Sequence, residues 1–149
     1  MSPSLAKSRA GSKRRTGSSA GASSSNGSLA PADKLKREIQ AVLTDDLRSN
    51  VYRRGYGRYD GFAYVAAEAY LHLAGGYGAG FHPVHLKYRS KSHWWLVDSQ
   101  GRVIDLTLAA RESSSFPYHH GKRRPFRFTP AGISRRAQTI VERVQAARK

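Results

Sequence analysis

Hydrophobic positions change period twice along this chain. From Pro31 onward, Leu35, Ile39, Val42, Leu43 and Leu47 recur at helical spacing with Lys, Arg, Gln and Asp between them. That spacing predicts an amphipathic helix over about 32–48, with Pro31 suited to its first turn. The stretch GFAYVAAEAYLHLA is small or apolar at almost every position, with Glu68 its one charged residue, so it predicts a central helix buried on most sides. Asp60 is placed to cap that helix and Gly75-Gly76 to end it. After GGYGAG the period becomes two: Val84, Leu86 and Tyr88 alternate with His85, Lys87 and Arg89. SKS then turns the chain into HWWLVD, and SQG turns it into RVIDLT. Residues 108–125 are irregular and basic, and PFRF reads as a short edge strand. The final ISRRAQTIVERVQAARK is a helix with Ile133, Ala137, Ile140, Val141 and Val144 on one face. The order of helices, strands and helix predicts an α+β fold. A central buried helix packs on a small antiparallel sheet, with amphipathic helices at the N- and C-terminal ends.

The first thirty residues break this patterning. Nineteen are Ser, Gly or Ala, five are Lys or Arg, and none is acidic or aromatic. Such a segment buries too little apolar area to offset its ordering entropy. The reading is therefore a disordered basic tail at 1–30 and a single domain at 31–149. The chain of 149 residues carries a formal charge of +16. Residues 38–149 hold 18 basic and 9 acidic side chains, so the folded part shares the excess. A charge of this size makes polyanions the expected partners, nucleic acid first and anionic lipid second, with an acidic protein a further candidate, although a cationic surface also serves solubility alone. There is no Cys, which excludes disulfides, thiolate metal sites and a Cys nucleophile. No apolar run approaches the roughly 20 residues of a membrane span, and no apolar segment of a secretory signal is seen. The expected setting is cytoplasmic or virion-associated, without membrane contact.

The hairpin register decides where chemistry would sit. With Ser99, Gln100 and Gly101 as loop, Asp98 at the first and Gly101 at the fourth position suit a type I turn with Gly in the bulge. Asp98 then pairs with Arg102, Trp95 faces Asp105, and His93 faces Thr107. His93 and Asp105 become diagonal neighbours on one sheet face, within side-chain reach. A two-residue loop would put them on opposite faces. A carboxylate orienting an imidazole is the outer half of a Cys-His-Asp or Ser-His-Asp site; the same pair serves equally as a structural hydrogen bond.

The stretches GFAYVAAEAYLHLAGG, SHWWLVDSQGRVIDLT and FRFTPAGISRRAQTIVERV together resemble a family of small phage-encoded and bacterial uncharacterised proteins. Those proteins are similar to the papain-like and transglutaminase-like cysteine superfamily. The family pattern has a Cys early in a buried helix, a His-Trp at the start of a strand and an Asp-Leu-Thr on the next. The resemblance covers roughly residues 60–145. It implies that His93 is the base, Asp105 the orienting carboxylate, and Ala63 the nucleophile position. A methyl group cannot attack, so the covalent chemistry should be absent. The family's Gln after Asp-Leu-Thr is also missing from LAAR. Both departures together imply natural loss of activity; a deliberate Cys→Ala change leaves the missing Gln unexplained.

Metal and cofactor sites are not expected. His82 and His85 alternate to opposite strand faces, and His119 and His120 read as loop residues. Two basic-aromatic segments match polyanion binding, in which Arg holds phosphate and aromatics stack bases. One carries Arg53, Arg54 and Arg58 among tyrosines; the other carries Lys122, Arg123, Arg124 and Arg127. Arg135 and Arg136 either extend that surface or face solvent. Trp94 and Trp95 point to opposite faces of their strand, one for the core and the other covered by a helix or lining a cleft, with the core the favoured reading for both. Three functions remain open: a degenerate papain-like domain that binds nucleic acid or another polyanion, an inactivated cysteine hydrolase or acyl transferase, and a basic structural or virion-associated protein. An open cleft with Ala63 facing His93 would mark the disabled enzyme, and a filled cleft the structural protein.

Overall fold

In the computed structural model, residues 31–48, 61–128 and 132–149 are described. The expectations for the tail at 1–30, for Arg53, Arg54 and Arg58, and for capping by Asp60 fall outside them. The elements are α1 (Pro31–Ala41), α2 (Ala63–Leu73), β1 (His82–Tyr88), β2 (Lys91–Val97), β3 (Val103–Ile104), the short α3 (Ala110–Ser113), β4 (Lys122–Arg123) and α4 (Arg135–Ala147). The strands form one antiparallel sheet in the order β3-β2-β1-β4. The α+β architecture is thus as the periodicities predict.

The core is built around α2. Val65, Ala66, Ala67, Ala69, Tyr70 and Leu71 are all buried, and α2 packs against α4 and β2. Its small side chains let those neighbours approach closely, and Ile39, Leu96, Phe126, Ile140 and Val144 fill the remaining volume. Gly75 and Gly76 end α2 as expected: the Gly76 N–H reaches Leu71 O at 2.8 Å and the Gly75 N–H reaches His72 O at 3.4 Å. This is a Schellman closure, and Gly75 takes the positive φ it needs. The N-terminal residue flanking α2 is Phe62, which has no side-chain acceptor to offer.

Four boundaries differ from the sequence reading, each for a local reason. The first helix stops at Ala41, short of 48, and a single 3-10 turn, Asp45–Leu47, follows. Two aspartates are unfavourable at the negative end of a helix, and Arg143 of α4 binds Val42 O and Thr44 Oγ1 there. The β1–β2 turn lies at Arg89-Ser90, one residue earlier than SKS, with Tyr88 paired to Lys91. Both turn residues have positive φ, 51° and 68°, a geometry that normally takes Asn-Gly. Each L-residue held there costs about 1 kcal/mol. The RVIDLT strand is cut to Val103–Ile104 because the Asp105 carboxylate accepts the N–H groups of Thr107 and Leu108 and turns the chain aside. PFRF is not a strand. The edge position is taken by Lys122–Arg123, while Phe126 enters the core against Tyr64 and Trp94.

The fully buried Glu68 joins α2 to α4. Its carboxylate accepts the Ser134 N–H at 2.9 Å and the Ser134 hydroxyl at 2.6 Å, and that hydroxyl in turn accepts the Ala137 N–H as the α4 cap. Glu68→Ala strands a buried donor and loosens the cap. The expected loss is about 2 kcal/mol in urea unfolding; Glu68→Gln, which keeps an acceptor, should lose less.

Candidate functional site

The predicted hairpin register is the observed one. Leu96 pairs with Ile104 and Val97 with Val103. The loop closes through Gly101 N–H to Asp98 O at 3.0 Å, and Asp98 N–H reaches Arg102 O at 3.0 Å. Gly101 supplies the positive φ of the bulge. Continuing that register brings His93 to Asp105, and His93 Nε2 lies 2.6 Å from Asp105 Oδ2. Both residues are buried, 9% and 7% exposed.

Asp105 is held by four donors. Oδ1 takes the backbone N–H groups of Thr107 and Leu108 at 3.0 and 3.1 Å. Oδ2 takes His93 and the Tyr118 hydroxyl, the latter at 2.8 Å. Burial pushes this carboxyl upward, but the hydrogen bond and charge of His93 and the two backbone donors outweigh it, and its pKa falls below the ordinary value. Tyr118 shifts the other way, raised by burial and by the charge and hydrogen bond of Asp105. It therefore stays protonated as a donor. An ionised carboxylate only accepts, so His93 Nε2 is the donor in this hydrogen bond. Among the described residues Nδ1 has no hydrogen-bond partner. Phe116 and Trp95 hold the ring at centroid distances of 5.0 and 5.8 Å, Trp95 in stacked orientation.

His93 and Ala63 line the same cavity of about 570 Å³. The first turn of α2, the β1–β2 turn, the 107–116 segment and Arg136 of α4 line it. The two positions implied for base and nucleophile therefore line one cavity, with Tyr64 of α2 packed on the Trp94 face of the strand and the His93 ring on the Trp95 face. Trp95 goes to the core at 1% exposed. Trp94 packs against the core in part: it is half-buried against Phe126 and Tyr64, the latter edge-on at 5.0 Å, and it also lines the cavity. The reason is that α2 and Phe126 cover only part of its sheet face.

The sequence reading missed Tyr118 and Phe116. Both lie in the irregular 108–121 stretch, where no periodicity assigns a side chain to a face. The dyad's depressed carboxyl has a measurable consequence. A group whose folded pKa is lowered adds stability that is complete above its unfolded pKa, near 3.9, and is lost as pH falls through the folded value. Asp105→Asn should therefore be less stable than the parent at pH 7, and the gap should narrow below about pH 4. Urea midpoints across that range check this, and a pH-independent gap would contradict it.

Lys122, Arg123, Arg124 and Arg127 are exposed on and just after the edge strand. Arg124 approaches His85 Nδ1 at 3.4 Å, and the Arg127 N–H is tied to the Tyr64 hydroxyl at 2.7 Å. None of the four lines the cavity. Phe128, beside Arg127, is 47% exposed. His82 and His85 project from opposite strand faces and His119 and His120 are exposed; among the described residues no group of three His or carboxylate side chains is placed to hold a metal. Among the same residues no helix is long and apolar enough to cross a membrane. No protein-family model, no curated protein and no solved structure matches the chain.

Proposed function

We propose that this chain is a disabled papain-like domain that works as a basic binding protein, with nucleic acid or another polyanion as partner. The observation that carries the reading is the buried His93–Asp105 pair, 2.6 Å apart, opening on the cavity that Ala63 also lines. A base with its orienting carboxylate, lining one cavity with a methyl group at the nucleophile position, has two members of a three-residue relay and no attacking atom. Covalent acyl transfer is then absent while the pocket persists. The open cavity favours this over a purely structural role, for which side chains would fill the space.

The polyanion half rests on the exposed row Lys122, Arg123, Arg124 and Arg127 with Phe128 beside it. Guanidinium and ammonium groups neutralise phosphates, and an exposed ring offers a stacking face. The test is fluorescence anisotropy of labelled single- and double-stranded oligonucleotides with the full chain, titrated across salt. Affinity should fall steeply with salt, and Lys122→Ala, Arg123→Ala and Arg127→Ala should each reduce the salt slope by about 1. A slope unchanged by all three would remove this surface from the reading.

A further inference from the structure

The cavity has a charge pattern of its own, separate from the basic edge. Among the described residues Arg89, Lys91 and Arg136 line it, against the single carboxylate of Glu112. Arg89 is presented by the turn in which it and Ser90 both take positive φ, so an unfavourable backbone is kept where it sets a guanidinium at the cavity. That guanidinium stands 5.1 Å from the Tyr88 ring centroid. Arg136 is anchored by one nitrogen, Nη1, to Leu47 O at 3.1 Å, and among the described residues its other N–H groups have no hydrogen-bond partner. Four aromatic rings share the wall with smaller side chains: Tyr64, Tyr88, Trp94 and Phe116. The buried His93 lies in the same lining, with Nδ1 unpartnered among the described residues. The first turn of α2, whose positive dipole end also favours an anion, completes it.

We propose that this cavity binds a small amphiphilic anion: a carboxylate or phosphate on a planar apolar body. Arg89, Lys91 and Arg136 take the anionic group, and Tyr88, Trp94 and Phe116 take the apolar part. A volume of about 570 Å³ is within the range of small-molecule sites. The inference rests on the proposed function only in treating the cavity as a binding site; it requires neither a cysteine-type ancestry nor the polyanion surface.

Four probes separate the contributions in isothermal titration at constant ionic strength: phenyl phosphate, benzoate, benzyl alcohol and inorganic phosphate. Phenyl phosphate or benzoate should bind at least about tenfold more tightly than either benzyl alcohol or inorganic phosphate, since losing one class of contact removes at least that much affinity. Which of the two anions binds better identifies the ligand's head group. Arg89→Ala, at an exposed position, should weaken binding about tenfold. Ala63→Trp, which fills the cavity, should abolish it, while Arg123→Ala on the edge strand should leave it unchanged. Inorganic phosphate binding as well as phenyl phosphate, or Arg123→Ala weakening binding as much as Arg89→Ala, would overturn the proposal and leave only diffuse surface charge. Retained phenyl phosphate binding without oligonucleotide binding supports this site and overturns the polyanion surface. The opposite pattern overturns this site alone.

Discussion

In full-length protein carrying Ala63→Cys, the new thiol is expected to ionise one to two pH units below the free-Cys value of about 8.5, and to return toward that value when His93→Ala is added. The argument starts from the cavity. Position 63 opens α2 and shares the cavity lining with His93, while Asp105 occupies Nε2 at 2.6 Å. The nitrogen left to meet the thiol is Nδ1, and a protonated imidazole there stabilises a thiolate. The positive end of α2 adds a smaller effect that survives loss of the histidine. Read as alkylation by iodoacetamide at pH 6.5, the single variant should react roughly ten- to a hundredfold faster than the double. Asp105→Asn should fall between them, because it keeps the imidazole but releases its orientation. A thiol that titrates near or above 8.5 and is indifferent to His93 would end the cysteine-site reading. The polyanion surface would then stand as the account of function by itself.

What the sequence made legible is what local chemistry determines. The alternation from Val84 and the Asp98–Gly101 turn signal were enough to set the β2–β3 register, and that register alone brings His93 to Asp105. The near-absence of charge in α2 was enough to place it centrally. What was not legible depends on distant partners. Arg143 of α4 meets the chain beyond α1 at Val42 and Thr44, where the apolar spacing up to Leu47 still looked helical. The Asp105 side chain, read as a catalytic orienter, also binds its own following backbone and ends the strand that carries it. Trp94 packs on the core yet stays half-buried, because a period of two assigns a face but not how fully that face is covered. Tyr118 completes the dyad from a segment with no period at all.

That segment contains the position where the fold is expected to tolerate change least. Gly121→Ala should destabilise the protein by about 3 kcal/mol, the upper end of the usual cost of overpacking. Gly121 has φ −68° and ψ 155°, extended backbone that any residue adopts, so conformation is not the constraint. Space is. An ideally placed Cβ would come within 2.5 Å of Trp95 Cη2 and 2.6 Å of Val84 Cγ1. Trp95 is 1% exposed and Val84 is buried as well, so neither can swing into solvent, and the chain at Gly121 or the indole must move. The indole also packs on Tyr118 at 5.0 Å, on Phe116 at 5.7 Å and against the His93 ring. Its displacement therefore reaches the Tyr118–Asp105 hydrogen bond and the orientation of His93. Two readouts should move together: the urea midpoint, and the alkylation rate of Cys introduced by Ala63→Cys. Val84→Ala removes one of the two obstructing groups, so combined with Gly121→Ala it should cost less than the two single effects added, the coupling expected of neighbours sharing one space. A Gly121→Ala protein as stable as its parent would mean that Trp95 does not pack against residue 121, and the aromatic support assigned to His93 would fall with it.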